Sequence, residues 1–368
     1  MIRIDRRLLA NFDFVLLILL LLVSAMALSN LYSASYPPGS LVGAPYLKQG
    51  IFFVIGFVML LLVICVDYQE LVFWNYPFYI LIISLLILAF FIGHEANGSQ
   101  RWINLGFFKL QPSEPAKLMM VITLASYYSR KEVMDGYSLK QILVPILLTG
   151  LPFILILRQP DLGTAMMLAI VFVSMTVFVR LKLSSYLILG SVGICLAVFA
   201  WEKVLKPYQK MRIQTFLNPE NDPMGHGYQI LQSKIAVGSG GKFGKGYLEG
   251  TQGHLHFLPE RHTDFAFSVW GEEWGFVGCL IFLGIYFFML TWGLYIAMNA
   301  RDRFGLLLAY GVVILMFWQA VINILMILGL LPVVGIPLPL VSYGGSSLLT
   351  TMMGIALLMN VRMRRFQN

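Results

Sequence analysis

What most limits the folding of this chain is a series of apolar stretches of about 20 residues, the length at which an α-helix crosses the hydrocarbon core of a bilayer. Ten are expected, at about 11–32, 47–66, 71–93, 114–128, 141–157, 162–180, 184–203, 265–298, 304–330 and 342–361. Only 12% of the 368 residues are charged, about half the share of a soluble domain, which excludes the soluble globular classes. The expected fold is an all-α polytopic membrane protein: one domain over 1–368, a bundle of ten transmembrane helices. One large extracytoplasmic loop at about 204–264 is expected to carry short amphipathic helices, with Tyr228–Val237 the clearest of them.

An even number of spans puts both termini on one side. Arg3, Arg6 and Arg7 at the start, with Arg362, Arg364 and Arg365 at the end, assign that side to the cytoplasm. The loops with Arg130/Lys131/Lys140, Arg180/Lys182 and Arg301/Arg303 fall on the same side. Opposite lie 33–46, 94–113, 158–161, 204–264 and 331–341, which hold all five histidines (His94, His226, His254, His256, His262). The first apolar run lacks a clear cleavage site and reads as a retained span. Cys65, Cys195 and Cys279 sit within apolar runs, with neither disulfide nor metal-ligand spacing. The net charge of +8 suits anionic headgroups or a phosphate-bearing ligand, and no basic, aromatic-interleaved surface suggests nucleic acid.

Chemistry is expected where ionisable groups meet the bilayer boundary, because such groups are costly to keep there. Asp264 is the foremost, at the junction between the polar loop and the apolar run beginning Phe265-Ala-Phe. A helix cap is the bland alternative, but Thr263 can fill that role alone. Glu114 and Lys117 stand at i, i+3, a spacing that lets them meet on one helix face, with Ser113 placed to cap the helix. Arg158 and Asp161 repeat this spacing at a tight turn, and Arg101 adds an outer cation beside Trp102. Gly238-Ser-Gly-Gly-Lys-Phe-Gly-Lys-Gly246 offers backbone amides with Lys242 and Lys245 to a phosphate, or is simply a mobile hinge. Ser342 and Ser346 lie in a small-residue run, Pro337–Ser347, that permits close backbone approach to a ligand or to a neighbouring helix. All these residues map to one face, so a polar outer vestibule would gather them.

These motifs resemble the SEDS family (shape, elongation, division and sporulation proteins), in its RodA-type branch. The resemblance runs over nearly the whole chain. It rests on Gln159-Pro-Asp-Leu-Gly-Thr164, Gly244-Lys-Gly-Tyr-Leu-Glu-Gly-Thr-Gln252, Phe257-Leu-Pro-Glu-Arg-His-Thr-Asp-Phe265, Glu272-Glu273 and Pro339-Leu-Val-Ser-Tyr-Gly-Gly-Ser346. It implies a peptidoglycan glycosyltransferase that polymerises lipid II on the outer face of the cytoplasmic membrane. It also implies a class B penicillin-binding protein as the transpeptidase partner. In the family the acid matching Asp264 is essential, and the pair matching Glu114 and Lys117 lies in the membrane cavity beneath it. Pro115 and Ala266 are departures from the commonest family pattern.

An inverting transfer to a sugar hydroxyl needs a general base, here assigned to Asp264, and positive charge for the departing pyrophosphate. Arg101, Lys117, Arg158, Lys242, Lys245 and Arg261 are candidates for that charge, with a divalent cation (Mg2+ or Mn2+) as a further source. Glu114, Asp161, His262, Thr263, Ser342 and Ser346 complete the expected substrate site. The rival functions are a lipid II flippase, whose charges should lie near the membrane midplane, and a scaffold in which Asp264 is replaceable.

Overall fold

In a computed structural model of the chain, residues 11–35, 44–92, 94–96, 99–104, 106, 109–130, 133, 136–219, 222, 225–254, 257–258 and 260–366 are described. Arg3, Arg6, Arg7, Lys131, Glu220 and His256 fall outside them. The helices are α1 (Phe14–Ala34), α2 (Pro45–Cys65), α3 (Glu70–Ile92), α4 (Ser113–Ser129), α5 (Leu139–Arg158), α6 (Leu162–Phe178) and α7 (Leu183–Phe199). After a π-helical turn at Ala200–Val204 come α8 (Pro207–Leu217), α9 (His226–Ser239), α10 (Thr251–His254), α11 (Ala266–Met298), α12 (Arg303–Ile327) and α13 (Gly345–Met363). Eight of these are long and apolar enough to cross a membrane, and α6 is a shorter apolar helix.

One expectation is corrected at 94–110. That segment carries strands β1 (His94–Ala96), β2 (Ser99–Asn104) and β3 (Lys109–Leu110), paired antiparallel in that order. The fold is therefore helical with a small sheet appended, and Arg101 is on the middle strand.

Burial grades the helices from inside to outside. α12 packs against α4, α6, α11 and α13, and α4 is buried almost all round from Ser113 to Tyr128. This explains why α4 tolerates charge and a length of only 17 residues: it faces protein, not lipid. By contrast α3 and α7 present most of their apolar side chains outward, as a lipid-facing helix does. Between α2 and α13 the small residues achieve the close approach expected of them. A methyl group on Gly56 would lie 2.2 Å from Met352 Sδ, and one on Gly345 2.7 Å from the Phe52 ring.

The ends of the bundle are closed by side chains that satisfy orphan backbone groups. Asp13 caps α1 through the Leu16 amide at 3.0 Å. Asn360 donates to the carbonyls of Val63 and Val66 at 2.7 and 2.6 Å, and Arg364 donates to that of Ile64 at 3.1 Å. Asp302 caps α12 and accepts from Tyr68 and Gln69. Arg362 lies 3.8 Å from Asp13, so the start of α1 and the end of α13 share one end of the bundle. α9 does not simply float on the bilayer. Its Ile230–Ser233–Ala236 face is buried against α11, and the Ser233 hydroxyl donates to the Ile327 carbonyl at 2.8 Å, leaving Leu231 and Ile235 outward.

Candidate active site

At the opposite end of the bundle, four segments far apart in sequence close over one another. Asp161, 4% exposed, is their hub. It caps α6, accepting from the Thr164 amide at 3.1 Å and the Thr164 hydroxyl at 3.0 Å. Gln111 donates to it at 3.1 Å, and the Arg101 guanidinium lies 3.3 Å away. The Gln111 amide donates to Ser346 Oγ at 3.1 Å, and that hydroxyl donates to the Lys109 carbonyl at 3.0 Å. Ser346 thus stitches the sheet to the start of α13. Ser342 does similar work, accepting from the Leu338 amide at 2.9 Å while its carbonyl accepts from Gln49 at 3.2 Å.

The expected Arg158–Asp161 pair does not form among the described residues. Arg158 is exposed. An i, i+3 pair meets only on a continuous helix, whereas α5 ends at Arg158 and α6 starts at Leu162.

The turn that carries Asp264 is built from Glu260, whose carbonyl accepts from the amides of Thr263 and Phe265, each at 3.2 Å. Phe265 occupies the cap position of α11 without a side-chain hydrogen bond. Thr263 donates its hydroxyl to Glu260 Oε2 at 2.9 Å, so the cap expected of it is not formed, and Asp264 is not a cap either. The turn is pinned from two sides. Asn323 donates to the Asp264 carbonyl at 2.9 Å and to the Ile336 carbonyl at 2.8 Å, and the Tyr343 amide donates to the His262 carbonyl at 2.8 Å. Arg261 is buried, which lowers its pKa.

The Asp264 carboxylate therefore projects from a rigid turn while committed to no donor among the described residues. It faces Gly335, where an added methyl group would lie 3.6 Å from Oδ2. Burial, with Glu260 and Asp161 adding like charge, pushes its pKa up to about 6 against the opposing pull of Arg101 and Arg212. Arg212, Glu260 and Asn323 were missed by the sequence reading as site residues. Arg212 is on α8, where its Nη1 donates to the Val333 carbonyl at 3.1 Å. In the sequence it is one of several loop cations, and only the docking of α8 onto 331–341 singles it out.

Glu114 and Lys117 meet as expected, 2.9 Å apart and both nearly inaccessible. Ser113 is the first helical residue rather than the cap, and its hydroxyl accepts from Gln111 at 3.0 Å. The pair borders a cavity completed by Gln319, Thr350 and Thr351. Removing one partner leaves a buried charge alone, so Lys117→Ala should destabilise the protein by about 3–5 kcal/mol. The double variant Glu114→Gln/Lys117→Met should recover most of that loss. Thermal unfolding of the detergent-solubilised variants measures both.

The glycine loop is tied by its backbone to α11 rather than left as a free hinge. α11 is broken at Gly275 (φ 62°, ψ −162°), and the loop backbone satisfies the amides and carbonyls that the break exposes. Phe276 and Val277 donate to the carbonyls of Gly241 and Lys242 at 2.9 and 3.0 Å, while the amides of Lys245 and Gly246 donate to those of Glu272 and Glu273 at 3.0 and 3.1 Å. Lys245 is committed to Glu272 at 2.6 Å, which also accepts from the Thr251 and Gln252 amides at 2.8 and 3.1 Å. Lys245 is thus a clamp rather than a free phosphate cation, whereas Lys242 is exposed. Glu273 accepts from Ser33 on α1, so both acids are buried anchors.

The comparisons with known proteins agree with this architecture. The family model described as "Cell cycle protein" (FTSW_RODA_SPOVE) matches residues 12–367. The chain is 42% identical over 295 residues to the peptidoglycan glycosyltransferase MrdB of Escherichia coli (strain K12), covering 79% of this chain and 78% of that one. It is 35% identical over 430 residues to the peptidoglycan glycosyltransferase RodA of Treponema pallidum (strain Nichols), covering 97% and 98%. Among solved structures, one described as "Structural coordination of polymerization and crosslinking by a peptidoglycan synthase complex" superposes with a TM-score of 0.83 at 33% identity, over 97% of this chain and 99% of that one. The rod shape determining protein RodA of Thermus thermophilus superposes at 0.72 with 29% identity, over 97% and 98%. A single family model spanning nearly every residue, with full-length relatives and the same fold, means that this chain belongs to the FtsW/RodA/SpoVE family of cell cycle proteins, the SEDS family.

Proposed function

We propose that this chain is a peptidoglycan glycosyltransferase of the RodA type that polymerises lipid II, with Asp264 as the general base. The observation that carries the assignment is the state of that carboxylate. It is fixed by its turn, free of donors among the described residues, and raised to a pKa of about 6 beside two arginines. Relatives named as peptidoglycan glycosyltransferases support the activity.

In the reaction the 4-hydroxyl oxygen of one sugar attacks the anomeric carbon of the other, and the bond from that carbon to the lipid pyrophosphate breaks. Asp264 takes the hydroxyl proton, and an α-linked donor gives a β-linked product in one inversion. The departing pyrophosphate carries its own negative charge, so it needs cations more than a proton. Arg101 and Arg212 are the cations whose charge opposes the rise in the pKa of the base, and Lys242 and Arg261 are further cations of the 204–264 loop. Among the described residues no group of three or more His, Cys, Asp or Glu could hold a metal ion. A divalent cation here would take most of its ligands from substrate phosphates and water, as magnesium commonly does, and no step above is routed through one.

Counting α4 and α6 as spans makes ten, with both termini cytoplasmic and the Asp264 end extracytoplasmic. The structural neighbour described as coordinating polymerization and crosslinking supports a class B penicillin-binding protein as partner. Formation of glycan polymer from lipid II by the purified chain in detergent, with that partner present, tests the assignment. No polymer from well-folded protein would overturn it. Because the base must be ionised, the rate should fall as pH drops through about 6, the pKa of Asp264, and by about tenfold per unit below it. A rate independent of pH between 5 and 7 would exclude Asp264 as the base.

A further inference from the structure

At the end of the bundle remote from Asp264, Asn11, Asp13, Phe14, Trp292, Arg362 and Arg365 line an open cavity of about 320 Å³. Its two arginines are only partly used. Arg362 lies over the Trp292 and Tyr295 rings, 6.0 and 5.4 Å from their centroids, and meets Asp13 through Nε at 3.8 Å. Arg365 lies 4.2 Å from the Phe366 centroid. Both also hydrogen-bond the Tyr295 side chain, but the Nη1 atoms of both guanidiniums are shielded from solvent and have no acceptor among the described residues. A buried guanidinium N–H without an acceptor is costly, so the site as it stands lacks a group that would accept from it.

Asp13, the one carboxylate that lines the cavity among the described residues, is engaged mainly by other donors. It accepts from the Leu16 amide at 3.0 Å and from Trp292 Nε1 at 2.9 Å. Among the described residues that line the cavity, two guanidiniums against one carboxylate leave an excess of one positive charge. The surroundings point to lipid rather than to a soluble anion. Phe14, Val15 and Ile18 on α1 are 63%, 36% and 56% exposed, and Phe366 is 66% exposed. An apolar helix face thus descends from the cationic cavity, while Trp292 and Tyr295 supply the aromatic belt typical of the headgroup level.

We infer that the cavity between the start of α1 and the end of α13 binds the phosphate of an anionic phospholipid. Arg362 and Arg365 donate to its oxygens, and its acyl chains lie along Phe14 and Ile18. Arginine suits this ligand because its fork can donate two hydrogen bonds to one phosphate. The site is independent of the catalytic assignment.

The test is native mass spectrometry of the full-length chain released from nanodiscs of mixed phosphatidylglycerol and phosphatidylcholine, alongside thermal unfolding. Wild type should retain phosphatidylglycerol in preference to phosphatidylcholine. Arg365→Gln, which leaves the Asp13 contacts in place, should lose about fivefold of that preference, and Arg362→Gln/Arg365→Gln about 20-fold. Inorganic phosphate at millimolar concentration should not displace the lipid. Equal retention of the two lipids would overturn the inference. So would an unchanged preference in a double variant with wild-type unfolding temperature, or displacement by inorganic phosphate alone. If the double variant unfolds early, Arg365→Gln by itself decides.

Discussion

Asp264→Asn is expected to leave the protein folded, able to bind lipid II, and slower in glycan polymerisation by ~10²–10⁴-fold, the contribution of a positioned base. The substitution keeps the size of the side chain and does not disturb the carbonyl through which Asn323 holds the turn. It also carries a thermodynamic signature. A carboxyl whose folded pKa is raised from 3.8 to about 6 is protonated more readily in the folded state. Its penalty is absent at acid pH, develops between those values and is complete above about 6. Removing the charge should therefore stabilise the fold at pH 7 by about 3 kcal/mol, with no gain near pH 3. A purely structural acid would show the reverse, a loss of stability on substitution. Polymer yields near wild type in the variant, measured with the partner present, would refute the catalytic role.

Gly275→Ala is expected to cost at least ~3 kcal/mol and to release the loop that spans 238–254. Its backbone conformation, φ 62° with ψ −162°, belongs to a region occupied essentially by glycine alone. A methyl group there would also lie 2.2 Å from the Gly244 amide nitrogen, a backbone atom that cannot swing aside. Gly244 is constrained from the other side, since its own added methyl group would lie 1.9 Å from the Glu273 carbonyl oxygen. The break in α11 and the loop form one unit, in which each satisfies the other's backbone groups. Freeing the loop exposes Glu272 and Glu273 and unties Ser33 on α1. The measurement is the midpoint of thermal unfolding in detergent, with limited proteolysis to detect the freed loop. A variant with wild-type melting and an uncut loop would show that the junction tolerates a side chain.

Most of the bundle was legible in the chain because lipid imposes a length and a polarity on any segment that crosses it. The buried Glu114–Lys117 pair was equally legible, since an i, i+3 spacing on one helix is a local fact. Legibility failed wherever a residue's partner came from another element. Arg158 has the same spacing to Asp161, yet a helix boundary between them hands Asp161 to Arg101 on a strand that helical periodicity did not suggest. Thr263 has the chemistry of a cap, but the turn directs its hydroxyl to Glu260. Lys245 looked like a phosphate ligand because nothing nearby in sequence balances it, while Glu272 waits 27 residues on.

The sequence by itself determined that this is a membrane bundle, which family it joins, and that Asp264 stands where polar loop meets apolar helix. Those conclusions rest on composition, hydrophobic run length and short motifs, all written in consecutive residues. Only the tertiary structure decided that Asp264 is pinned by Asn323, faced by Gly335 and placed within the fields of Arg101, Arg212 and Glu260. A carboxylate's pKa is set by whatever surrounds it in space, and here all but Glu260 of those groups come from elements more than 50 residues away.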